Sequence, residues 1–202
     1  MFLRIVIVVL FLISAYMAYG FYHARNAFFE AYETPLQYVI GPTDADLKIV
    51  EFMNYGCDKC RNIHPNTMEA IQKDGKVRLI IRPVVEQGDW SEMLVQYVYA
   101  AGEQGKFLEM HEGIIENWPI DDELFLIKYA ENLDLDLDQL SRDVQSDEIK
   151  ELVKINQDIF IRWQLNTVPT FFVGKAAVFR PRVESITTEE WLEKFKKARA
   201  GS

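Results

Sequence analysis

The chain of 202 residues has two cysteines, and both stand in one short stretch, EFMNYGCDKCRNIHP, as Cys57 and Cys60. Two thiols with two residues between them can open and close a small disulfide. Together with His64 the same pair reads C-x-x-C-x-x-x-H. That set offers three soft ligands to copper(I), or an incomplete set to zinc. Two buried thiols can also simply fill a core. The elements around the motif must separate these chemistries.

The segment LKIVEFM, residues 47–53, is apolar and β-branched, and reads as a buried strand with Glu51 as its misfit. Beyond the cysteines, RNIHPNTMEAIQKDG has helical character. It carries Pro65 inside, where a proline bends the axis, and ends at Gly75 as C-cap. A helix that starts at Cys57 turns its unpaired N–H groups toward that sulfur and favours the thiolate. Cys57 is then the exposed attacking sulfur and Cys60 the resolving one. Asp58 adds negative charge beside the thiolate and is expected to raise its pKa, with Lys59 opposing. Asp58→Asn should therefore make the disulfide more oxidising. Glu51 can be a satisfied strand carboxylate, paired with Arg82 at the end of the next strand.

That next strand is KVRLIIRPVV, so the motif sits in a βαβ unit with parallel pairing. A short strand is expected before it in LQYVI, followed by turn residues from Gly41 to Asp46. From Trp90 to Leu165 five segments carry apolar residues at helical spacing, with Asp121, Asp138 and Asp147 expected as N-caps. Their aromatic residues, Tyr97, Tyr99, Phe107, Trp118, Phe125, Phe160 and Trp163, read mainly as core. Strand signals return at VPTFFVG and AAVFRP, joined at Gly174-Lys175. The segment ITTEEWLEKFKKARA closes the pattern as an amphipathic helix, with Thr187 and Glu190 in capping-box spacing. The order is βαβ, helical block, ββα.

The N-terminus carries the compartment signal. From Ile5 to Tyr22 the sequence is uncharged and mostly apolar, after a single early cation, Arg4. As a helix this run spans roughly 27 Å at about 1.5 Å per residue, the thickness of a bilayer's hydrocarbon. It reads as an uncleaved anchor. The Ala18-Tyr19-Gly20 triplet also has the small-x-small form of a signal-peptidase site. Either outcome exports the rest of the chain, where a disulfide persists. The formal net charge of −9 argues against a nucleic-acid partner. Apolar residues at 49% and charged residues at 26% indicate a packed core rather than disorder.

The stretches VEFMNYGCDKCRNIHP and WQLNTVPTFFVG together resemble the DsbA-like family of thiol:disulfide oxidoreductases, which have the thioredoxin fold. The resemblance runs from about Val39 to Ala198. It implies an α/β fold with an inserted α-helical subdomain, preceded here by the apolar N-terminal helix. The corresponding boundaries are 1–26 for the anchor, 27–86 for the first part of the fold, 87–165 for the helical insertion and 166–202 for the second part. It further implies that Pro169 is a cis-proline facing Cys57 and Cys60. Val168 and Thr167 then bind the substrate chain, Glu51 accepts the proton of Cys60, and Pro65 kinks the helix. The Asp58-Lys59 dipeptide departs from the Pro-containing dipeptides of strong oxidases. His64 lies outside the C-x-x-C loop and is expected on the helix surface, modulating the site.

The implied activity introduces disulfides into exported proteins, at the bacterial periplasm or extracytoplasmic face, with no cofactor beyond the Cys57–Cys60 disulfide. Its partners would be unfolded or thiol-containing exported proteins, a membrane or periplasmic redox partner, and the membrane itself. A disulfide reductase or isomerase of the same fold is the alternative within the class. A copper- or zinc-binding protein using Cys57, Cys60 and His64 is the alternative outside it.

Overall fold

Alternation along the central strands divides their side chains between two apolar layers. The structure, a computed structural model, describes residues 2–85, 88–175, 177–182 and 185–201. The 86/87 boundary and Ala176 of the expected strand lie outside the described residues. Strand β2 (Leu47–Met53) turns Leu47, Ile49 and Met53 to one face and Val50 and Phe52 to the other. It pairs in parallel with β3 (Val77–Pro83) and antiparallel with β4 (Thr170–Val173). Short edge strands β1 (Val39–Ile40) and β5 (Ala177–Phe179) complete the order β1-β3-β2-β4-β5.

The first face is covered by α2 (Asp58–Asp74) and α8 (Thr188–Ala200). Cys60, Ile63 and Ile71 from α2 and Trp191 and Phe195 from α8 pack into one cluster with it. Gly75 ends α2 in the left-handed region at φ 70°, and Thr187 and Glu190 form the expected capping box on α8. The helical block consists of α3 (Gly88–Glu103), α4 (Phe107–Glu116), α5 (Glu123–Asn132), α6 (Leu137–Val144) and α7 (Asp147–Arg162). Its aromatic side chains divide: Tyr97, Tyr99 and Phe107 are buried, whereas Trp118, Phe125, Phe160 and Trp163 are half-buried. The N-caps fall on Asp122, Asp136 and Ser146 rather than on Asp121, Asp138 and Asp147. Each run offers neighbouring oxygens, and the one that reaches an N–H two or three residues ahead takes the cap. Asp138 and Asp147 then occupy first turns, where the helix dipole still favours them.

The second face is covered by α7 and by the end of α1 (Phe2–Ala31). Helix α1 runs unbroken through Gly20 and continues beyond the apolar run to Ala31. Ala27, Phe28 and Ala31 then join Val50, Phe52, Ile80, Ile159 and Phe172 in the second cluster. Buried Arg82 fastens the end of α1. Its Nε donates to Ala31 O at 3.2 Å, its Nη2 to Glu30 O at 3.0 Å and also to Glu33 O, and its Nη1 to Asn156 Oδ1 at 3.1 Å. These acceptors satisfy a charge that would otherwise be costly inside the protein. The register sets Glu51 opposite Ile81 and Phe52 opposite Arg82. Glu51 and Arg82 therefore face opposite layers, and the expected pairing between them does not form.

Candidate active site

The site begins where β2 ends. Asn54 closes the turn: its Nδ2 donates to Val84 O at 2.9 Å, and its Oδ1 accepts from Gly56 N at 2.7 Å. Cys57 follows with extended backbone as the N-cap of α2, and its Sγ accepts from Cys60 N at 3.2 Å. A sulfur at that point receives the unpaired N–H groups and the positive end of the helix dipole. It is half-buried, whereas Cys60, one turn on, is buried. Burial pushes the Cys60 thiol far above its ordinary value. Its hydrogen bond with Cys57 and the nearby charges of Glu51 and Cys57 add to that, and a backbone hydrogen bond with Asn54 opposes it.

The loop before β4 comes from the far end of the chain to meet Cys57. The Val168–Pro169 peptide is cis, and Val168 O lies 3.9 Å from Cys57 Sγ, within reach of an S–H donation. Pro169 is buried, Val168 half-buried and Thr167 exposed. Thr167 also lines an open hollow of about 740 Å³ with Phe179, Arg180, Arg182 and Lys194. Beneath the cysteines stands Glu51, 2% exposed, with no hydrogen-bond partner for Oε2. Burial first, and the negative charge of Cys57 second, push its carboxyl up to about 8. A carboxyl in that state is protonated at neutral pH and close to ionising.

The first turn of α2 departs from expectation. Asp58 is exposed and forms an ion pair with Arg61, one turn along. Arg61 is thus a cation set against the Asp58 charge, in addition to the expected Lys59. His64 is not on the helix surface. It is 5% exposed, because Pro65, not His64, falls on the outer face of α2. Its ring meets that of His111 from α4, centroid to centroid 4.9 Å, and His111 Nδ1 lies 2.8 Å from the Tyr55 hydroxyl. Burial lowers the His64 pKa to about 4, and burial and the His64 charge lower that of His111 well below its ordinary value. Among the described residues, no three His, Cys, Asp or Glu side chains gather as metal ligands.

So Cys57, Cys60, Glu51, Val168 and Pro169 converge, Thr167 adjoins them, Asp58 and Lys59 lie on the first turn, and His64 lies deeper in the core. Sequence reasoning missed Tyr55, Arg61, His111 and Trp118. Only Arg61 carried a local signal, three residues after Asp58 on a helix. Tyr55 stands in the turn just before Cys57, and His111 and Trp118 reach the site through tertiary packing.

The family profile described as Thioredoxin matches residues 33–196. The chain belongs to the thioredoxin family. It is 30% identical over 159 residues to a probable disulfide bond formation protein D of Bacillus anthracis, covering 71% of this chain and 71% of that one. It is also 30% identical over 142 residues to the Na(+)/H(+) antiporter NhaA 3 of Salinispora tropica. That match takes in 68% of this chain but spans about a fifth, 21%, of the antiporter. Among solved structures, the thiol-disulfide exchange protein alpha-DsbA2 of Wolbachia pipientis superposes with a TM-score of 0.74. The identity there is 16%, covering 86% of this chain and 95% of that one, so it speaks to the fold.

Proposed function

We propose that this chain is a thiol:disulfide oxidoreductase that introduces disulfides into exported proteins, working from the outer face of a membrane to which α1 anchors it. The observation that carries the reading is Cys57 Sγ at the N-cap of α2, 3.9 Å from the carbonyl that precedes Pro169. In the oxidising direction a substrate thiolate attacks Cys57 of the Cys57–Cys60 disulfide. The S–S bond breaks, a mixed disulfide forms at Cys57, and Cys60 leaves as a thiolate. That thiolate takes the proton of Glu51, whose carboxyl is protonated at neutral pH. A second substrate thiolate attacks the substrate sulfur, the new disulfide departs, and Cys57 is left as a thiolate held by the helix. Two electrons have passed to the cysteine pair. Re-oxidation by a redox partner reverses the order, with Glu51 accepting the Cys60 proton. Val168 and Pro169 hold the substrate chain extended across the sulfur, and Thr167 continues that surface.

Anchoring is supported by the continuous helix. Its apolar window within Arg4–Ala31 has a mean hydropathy of 2.2 and no buried residues. A reductase or isomerase role uses the same atoms, and the Asp58-Lys59 dipeptide keeps it as the second reading. The deciding experiment is the equilibrium of the purified protein with glutathione, together with its ability to oxidise reduced, unfolded ribonuclease. A reducible Cys57–Cys60 disulfide that drives ribonuclease oxidation is expected. Thiols that stay reduced in air, with stoichiometric copper or zinc retained, would overturn the reading in favour of metal binding. A disulfide as stable as that of a reductant would reverse the direction.

A further inference from the structure

Arg61 is held at three points, two of them flanking Cys57 in sequence and the third on the connection between α4 and α5. Its Nη1 donates to Tyr55 O at 2.6 Å, its Nη2 pairs with the Asp58 carboxylate, and its guanidinium lies 4.7 Å from the centre of the Trp118 ring. The Arg61 side chain is 13% exposed and that of Asp58 84%, so the cation is the enclosed member of the pair. Tyr55 is fixed in turn by His111. Trp118, from the connection between α4 and α5, also lies against Gly56, where an added Cβ would stand 3.8 Å from the indole. An ordinary surface pair three residues apart on a helix is worth a few tenths of a kcal/mol and involves neither a main-chain acceptor nor an aromatic cover.

We propose that Arg61 is a positioning residue for disulfide exchange, fixing the 55–58 turn and offsetting the Asp58 charge beside Cys57. The proposal rests on the redox reading of Cys57 and Cys60. Negative charge resides on Cys57 only in the reduced, ionised state, and the disulfide carries none. A cation against this turn therefore favours the reduced state and makes the disulfide more oxidising. Stacked beneath an indole and largely out of water, the guanidinium keeps more of its field than a surface cation does. Removing it also leaves the Asp58 charge less opposed, and both effects have the same sign.

The test is the equilibrium between the protein and glutathione, in which two glutathione thiols become glutathione disulfide. Two electrons and two protons then pass to Cys57 and Cys60 as their S–S bond breaks. In R61M the constant should move roughly tenfold toward the protein disulfide, the size of one charge acting through partly screened protein. D58N alone should move it the other way, and adding D58N to R61M should restore most of the loss. W118L should act like R61M, more weakly. Ultraviolet titration of the thiolate should place Cys57 higher in R61M and return it in the double variant, a rescue that a purely structural role would not give. A constant within twofold of wild type in R61M, or no rescue by D58N, would overturn the proposal. Should R61M fail to fold, D58N and W118L carry the test, and unchanged constants in both overturn it equally. A wild-type protein with no glutathione-linked disulfide would instead bring down the redox reading, and this proposal with it.

Discussion

Replacing Glu51 by Gln removes an ionisable group from the middle of the sheet while keeping its shape. The carboxyl is pushed from an ordinary 4.5 up to about 8, by burial and then by the charge of Cys57. Between those values the folded chain holds a proton that the unfolded chain has released, so raising the pH favours unfolding. The stability is fully present below about 4.5 and is lost as pH rises through about 8. At about 1.4 kcal/mol per unit the whole loss is on the order of 5 kcal/mol, and roughly 3 kcal/mol of it has gone by pH 7. Urea unfolding of the reduced protein measures it. E51Q should exceed wild type by roughly 3 kcal/mol at pH 7 and by less than about 1 kcal/mol at pH 5. The exchange rate should move the opposite way. Without a proton acceptor for Cys60, its attack on the mixed disulfide between Cys57 and an oxidant during re-oxidation should slow by about 100-fold or more, and in wild type that rate should climb with pH toward 8. Acid-quenched samples separated by chromatography would follow it. A stability difference independent of pH, with mixed-disulfide decay unchanged, would refute the reasoning.

Two further expectations follow from the burial pattern. The folded chain keeps His64 neutral down to about pH 4, whereas the unfolded chain gains its proton near 6.5. Stability is therefore present above about 6.5 and falls by roughly 3 kcal/mol as pH drops through about 4, and urea midpoints of H64L should decline less over that window. Deleting residues 1–26 should leave a folded, soluble domain, because the second cluster begins at Ala27. Deleting residues 1–33 should cost several kcal/mol, by uncovering the Phe28 site and by leaving Arg82 without three carbonyl acceptors, and calorimetry of the two truncations would show it.

The local sequence determined a good deal about this protein. A strand of β-branched residues, a C-x-x-C at its end, a Gly C-cap and a Thr–Glu capping box each act within a few residues, where spacing and side-chain type suffice. So the elements, their order and the place of Cys57 at a helix start were legible in Leu47–Asp74 and Thr187–Ala200. The apolar run at the N-terminus was legible for the same reason. Which face a residue takes was not. Glu51 and Arg82 looked like partners until the parallel register put them on opposite sides of one sheet, a one-residue offset that inverts every contact. His64 looked like a surface residue until α4 brought His111 against it. Arg61 acquired its acceptor from a turn and its cover from Trp118, at positions no local rule connects. Helix and strand formation is decided by near neighbours in the chain. Whether a charge is buried, and against what, is decided by packing between segments far apart in it, and that is what tertiary structure alone supplied.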